Sequence, residues 1–151
     1  KEMENSGKEV KKMRKNVIWI DKMVSRKEGI RLYSHADVFC CPSIYEPFGI
    51  INIEAMACKT AVVASAVGGI KEVVVHGETG LLVSLEQQKE APFEPVDPDR
   101  FSRDLADGIN KLIRNKELRE SMAVKGRKRV EDFFDWTAIA KQVEALYKSL
   151  I

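Results

Sequence analysis

Two glutamates, Glu46 and Glu54, stand on either side of a helix-start signature and could together hold a phosphorylated ligand. The segment reads Ser43-Ile44-Tyr45-Glu46-Pro47-Phe48-Gly49-Ile50-Ile51-Asn52-Ile53-Glu54. An apolar run, DVFCCPS (37–43), is stopped by Pro42, and a second one, IINIEAMAC (50–58), opens after Gly49. The first amides of a helix have no partner inside it, and the helix dipole adds positive potential there. The N–H groups of Gly49, Ile50 and Ile51 are therefore candidates to bind an anion such as a diphosphate. Gly49 lacks a side chain, so a ligand can approach its backbone closely. Glu54 is the only ionisable residue in its helix and Asn52 its only polar companion. A carboxylate in apolar surroundings needs donors, and a ribose diol offers two. Glu46 lies before the helix and Glu54 about five residues into it, an axial offset of roughly 7–8 Å. The pair could thus address a ribose on one side of a diphosphate and a hexose on the other. Spacing alone leaves a second reading open: Glu46 complements the helix dipole and Glu54 pairs with a lysine.

Other chemistry-bearing residues carry weaker signals. Gly68-Gly69 could bind phosphate or could serve tight strand–helix packing. His35 and His76 are isolated from metal-ligand partners and fit structural or turn roles. Cys40, Cys41 and Cys58 lack metal spacing; buried, reduced thiols of a cytoplasmic protein are expected. The run Lys125-Gly126-Arg127-Lys128-Arg129 reads as a solvated helix face. No G-x-G-x-x-G and no P-loop is present. Two carboxylates also suggest a glycosidase, but a helix-start anion site favours a phosphorylated donor. Nothing resembles a Ser-His-Asp set.

The elements that must position these residues are short and apolar. Residues 1–15 suit a surface helix with Met3, Val10 and Met13. VIWI (17–20) reads as a strand, and 26–35 as a helix with Ile30 and Tyr33 on one side. DVFCCPS, AVVAS (61–65) and LLV (81–83) read as further strands, with HGETG (76–80) as turn chemistry. The turn Val67-Gly68-Gly69 is followed by a short helix through Val75, and QQKEAPFEP (87–95) is a loop. Asp97-Pro98 supplies an N-cap and an N1 proline for a helix carrying Phe101, Leu105, Ile109 and Leu112. Another helix covers about 116–132. The last starts after Asp135 and presents Ile139, Val143, Leu146 and Leu150. Uniformly apolar strands separated by helices predict a parallel sheet covered on both faces, a Rossmann-like α/β fold. Residues 98–151 form its helical tail, and the whole chain reads as one domain. Four or five strands fall short of the usual six, so a truncated domain is expected.

Composition narrows the class. The 151 residues are 44% hydrophobic and 32% charged, a globular balance. The 25 basic and 23 acidic residues leave a charge of +2, which gives no electrostatic argument for nucleic acid. No run reaches the roughly 18 apolar residues of a membrane span, and the first residues do not read as a signal peptide.

Taken together, the stretch from VIWI to LLV, with APFEPVDPDRF and the tail behind it, resembles the retaining glycosyltransferases of the GT-B fold. The resemblance is to the branch that contains bacterial glycogen (starch) synthases, and to their C-terminal, donor-binding domain. EPFGIINIEAMA followed by AVVASAVGGIKEVVVHGETGLLV is the specific part. The resemblance implies that Glu46 opens the family's paired-glutamate motif and contacts donor-sugar hydroxyls near the reacting carbon. Glu54 would close the motif and hold the ribose. The segment Pro47, Phe48, Gly49, Ile50 and Ile51 would hold sugar and diphosphate, largely through backbone. Met23 falls where the family's base-binding loop lies. The implied reaction moves glucose from ADP-glucose to an α-1,4-glucan with retention, without cofactor or metal. UDP-glucose as donor, maltose 1-phosphate or a cell-surface glycan as product, and a non-catalytic α/β interaction module are the alternatives. The family's arginine–lysine clamp and its acceptor-binding N-terminal domain are expected upstream of this sequence; Lys11, Lys12, Arg14 and Lys15 do not match the clamp.

Overall fold

A computed structural model describes residues 14–150. The expected helix with Met3, Val10 and Met13 lies outside the described residues. The described elements are α1 (Arg26–His35), β1 (Val38–Cys41), α2 (Ile50–Ala57), β2 (Ala61–Ser65), α3 (Ile70–Val73), β3 (Gly80–Val83), α4 (Pro98–Arg114), α5 (Lys116–Phe133) and α6 (Trp136–Ser149).

The three strands pair in parallel in the order β1-β2-β3, with Val38 opposite Ala61 and Val62 opposite Gly80. Every residue of β2 is buried, because helices cover both faces of this central strand. Alternation along it feeds two cores. Val62 and Ala64 point to a layer with Ala55, Met56, Ile70, Val73 and Val130, drawn from α2, α3 and α5. Ala61 and Val63 point to the opposite layer with Phe101, Leu105 and Leu112 of α4. Ile109 of α4 is half-buried against that second layer, so the expected stripe forms.

Helix starts follow the polar residues that precede them. Ser25 and Glu28 make a reciprocal capping box on α1. Asp97 accepts from the Arg100 amide at 2.8 Å, with Pro98 in the first turn of α4. Asn115 ends α4 and caps α5 by accepting from Leu118 at 3.0 Å. Asp135 accepts from the Thr137 amide at 2.9 Å and starts α6. The backbone amide and then the side chain of Thr137 hold the Asp135 carboxyl below its usual pKa, since they bind its charged form.

Two expectations are corrected. VIWI (17–20) is not a strand: it carries no sheet pairing, and Val17, Ile18 and Ile20 are exposed. A β-rich composition alone cannot make a strand without a neighbour to receive its hydrogen bonds. The described sheet accordingly has three strands rather than four or five. The basic run on α5 is a solvated face only in part: Lys125 and Lys128 are exposed, and the rest of the run turns inward. Gly126 is buried against Met56, Arg127 donates to the Ala57 carbonyl, and Arg129 donates to the carbonyls of Glu72 and Val73. Long arginines reach back over apolar surface to the open carbonyls that end α2 and α3.

Candidate functional site

The site lies at the C-terminal ends of β1 and β2, where an open parallel sheet leaves a crevice. The loop from Pro42 to Gly49 leaves β1 there and is held from three sides. Ser65, the buried last residue of β2, donates its hydroxyl to the Ser43 carbonyl. Gln87 donates Nε2 to the Ile44 carbonyl at 2.6 Å. The Gly69 amide donates to the Glu46 carbonyl at 3.0 Å.

The contact with Gly68 and Gly69 is a backbone-on-backbone approach. A Cβ on Gly68 would meet the Glu46 carbonyl oxygen at 2.0 Å, and Gly68 has φ +45°. A Cβ on Gly69 would lie 2.5 Å from both the Phe48 Cα and the Pro47 carbonyl oxygen. The space these glycines leave is filled by the Glu46–Phe48 segment. Close packing, rather than an open phosphate cradle, is their role in this structure.

Gly49 turns the chain into α2 with φ 101° and ψ 40°, left-handed values that favour glycine. This turn folds Glu46 back, and its Oε1 accepts the Gly49 amide at 3.1 Å. One of the three amides expected to be free is thus taken by a carboxylate acting as a cap. The next two, Ile50 and Ile51, have no backbone or side-chain partner among the described residues. Both side chains are exposed, as are those of Tyr45 and Phe48. Phe48 packs edge-on against Phe134 at 6.1 Å. Pro47 is exposed at the loop's crest.

Glu54 sits one turn further along α2, and it is exposed rather than enclosed by apolar neighbours. The premise that burial forces it to find donors is therefore corrected: residues 52, 55 and 56 face the core, and position 54 falls on the opposite side. No lysine pairs with it among the described residues. Its Oε2 instead accepts the Tyr33 hydroxyl at 3.4 Å. Glu54 and Tyr33 line a cavity of about 660 Å³ between α1 and α2, with Val24, Ile30, Cys58 and Arg127 among the other walls. Glu46 is not part of that lining. Met23 is 95% exposed next to Val24, on the loop leading into α1, and is not a core residue.

Asn52 is buried, and neither its Oδ1 nor its Nδ2 finds a hydrogen-bond partner. The remaining candidates are structural. His76 Nδ1 accepts the Leu82 amide at 2.9 Å, and His35 Nδ1 lies 2.8 Å from the Arg31 carbonyl. The three cysteines are free, Cys41 being buried. Sequence reasoning did not single out Tyr33, Val24 or Arg127 for this site, since no local pattern links residues so far apart to Glu54.

The chain has known relatives. A family model for glycosyl transferases group 1 matches residues 3–92, more than half of the chain. The chain belongs to that family. It is 38% identical over 149 residues to the alpha-maltose-1-phosphate synthase of Mycolicibacterium smegmatis, which covers 99% of this chain and 36% of that protein. Among solved structures it is similar to sucrose-phosphate synthase from Thermosynechococcus elongatus, with TM-score 0.76 and 36% identity over 98% of this chain and 33% of the other. Anabaena Alr3699/HepE in complex with UDP superimposes with TM-score 0.64 and 29% identity, over 79% of this chain and 29% of that one. The chain therefore spans about a third of the length of these relatives. In this group 1 glycosyltransferase domain the expected Rossmann-like α/β fold with a helical C-terminal tail is present.

Proposed function

We propose that the chain is the nucleotide-sugar-binding part of a hexosyltransferase. One observation carries the reading: on α2 the exposed Glu54 carboxylate, which lines a cavity, stands one turn beyond a helix start whose Ile50 and Ile51 amides are unpartnered among the described residues. A nucleoside diphosphate carries the matching groups in the matching order, hydroxyl donors on the ribose and then phosphate acceptors. Glu54 would accept from the ribose diol. The amides of Ile50 and Ile51, with the backbone of Phe48 and Gly49, would take the diphosphate. Glu46 and the crest at Pro47 would face the sugar, and the loop at Met23 the base. Negative charge grows on the diphosphate as it leaves an oxocarbenium-like sugar. Fixed amides stabilise that charge without reorganising at the moment of reaction. Release of Glu46 from Gly49 would free a third amide for the same purpose.

The finer reading is ADP-glucose as donor and an α-1,4-glucan as acceptor, with retention, as in glycogen synthases. A second reading keeps the domain and changes the acceptor or the base. The 38% identity to a protein named alpha-maltose-1-phosphate synthase favours a change of acceptor, and the likeness to a UDP complex favours uridine. Calorimetric titration with ADP, UDP, ADP-glucose and UDP-glucose separates these donors. Weak ADP binding that Glu54→Ala abolishes is expected. Equal binding by the variant removes the ribose assignment, and binding of UDP alone overturns the adenine donor.

A further inference from the structure

We infer that Tyr33 is a positioning residue, its phenol hydroxyl aiming the Glu54 carboxylate at the ribose of the bound nucleotide. This inference rests on the proposed role of Glu54 and adds to it the group that sets its orientation. Tyr33 lies on α1 and Glu54 on α2, on opposite walls of the same cavity.

Tyr33 is fixed before any ligand arrives. Its ring meets Phe39 of β1 edge-on, 5.3 Å between centroids at 84°. Its carbonyl accepts the hydroxyl of Thr60, a buried residue, at 2.5 Å. The same carbonyl also accepts the Ala36 amide at 3.1 Å, where α1 ends. Ring and backbone are thus tied to the sheet layer, and the hydroxyl is within reach of Glu54 across the cavity.

Glu54 presents the opposite case. It is exposed, and among the described residues its carboxylate has one hydrogen-bond partner, Tyr33 Oη at 3.4 Å. That separation is long for an O–H···O bond, the usual state of a site awaiting its ligand. A carboxylate has roughly four acceptor positions on its two oxygens. Tyr33 uses one on Oε2 and leaves Oε1 open for the two hydroxyls of a ribose. A fixed donor on one oxygen selects, from the rotamers of an exposed glutamate, those with the other oxygen facing the cavity. Burial, and then the charge of Glu54, raise the phenol above its usual pKa, so it remains a proton donor through the physiological range.

The test uses the whole chain, with ADP and 2′,3′-dideoxy-ADP as probes (or the uridine pair, if that base binds). Glu54 working on the diol makes the unsubstituted chain prefer ADP. Tyr33→Phe keeps the ring against Phe39 and removes only the hydroxyl. Its ADP affinity should fall about three- to tenfold, the worth of one modest hydrogen bond. Its affinity for the dideoxy probe and its melting temperature should not move, so the preference narrows. A merely structural role would lower both affinities together and lower the melting temperature, which would overturn the inference. Unchanged ADP affinity and preference in Tyr33→Phe, with ADP binding lost in Glu54→Ala, overturns Tyr33 and leaves the proposed function standing. No nucleotide binding by the unsubstituted chain overturns both.

Discussion

At the scale of single residues, the carboxylate of Glu46 has one position in the free chain, folded back on the Gly49 amide at 3.1 Å. A ligand bound as proposed at the helix mouth would compete with it for that amide, so the same side chain would stabilise the empty domain and serve the filled one. Removing it should cost what loss of a helix cap costs. Glu46→Ala is expected to lower stability by about 1 kcal/mol, a fall of roughly 2–4 °C in melting temperature. Glu46→Gln keeps an acceptor in place and should lose less. Thermal unfolding of the three proteins checks this, and equal stability of Glu46→Ala and the unsubstituted chain would show that the cap contributes nothing. Glu54 should behave differently. Its exposed position and long contact to Tyr33 make Glu54→Ala nearly neutral for stability while it removes nucleotide binding.

At the scale of elements, the loop that carries Glu46 is held by what surrounds it. Below it run the backbones of Gly68 and Gly69, at distances no side chain tolerates. Behind it, Phe134 packs on Phe48, and Arg129 stacks on Phe134 with 5.6 Å to the ring centroid. Arg129 also binds the last carbonyls of α3, so α5 braces both the loop and the helix that supports it. The neighbours of a Gly69 Cβ are backbone atoms and cannot rotate aside. Gly69→Ala should therefore lower stability by about 2 kcal/mol or more, at or beyond the usual cost of overpacking. Urea unfolding measures it, and a midpoint shift matching less than about 0.5 kcal/mol would mean that the loop yields easily.

At the scale of the molecule, apolar side chains remain on the surface at both ends of the described chain. Ile18 and Met23 are exposed near its start, as are Trp136 and Leu146 on α6 and Leu150 at its C-cap. The chain spans 36% of the maltose-1-phosphate synthase and 33% of the sucrose-phosphate synthase chain it matches. Transfer needs an acceptor held against the donor's reacting carbon as well as a donor site. Supplied alone with ADP-glucose and glycogen, this chain is expected to release no ADP above background in a coupled assay. Robust turnover would mean that these 151 residues carry a whole active site.

What the sequence determined by itself was whatever local physics and binary pattern decide. Asp97-Pro98 and Asp135 mark helix starts because capping needs only the neighbouring amides. AVVAS is a central strand because an apolar run of that length can be satisfied only between two layers. The segment from Glu46 to Glu54 stood out because the type and order of its residues are those that would suit an anionic ligand. Tertiary structure alone decided the rest. VIWI failed as a strand because pairing needs a partner that composition does not reveal. Which face of α2 turned outward placed Glu54 in the open and Asn52 in the core, and that depended on α5 and the sheet. The meeting of Tyr33 with Glu54, of Arg129 with the carbonyls of α3, and of Gly69 with Phe48 joins residues distant in sequence. Such contacts exist only once the packed layers have fixed where each element lies, and no local pattern encodes them.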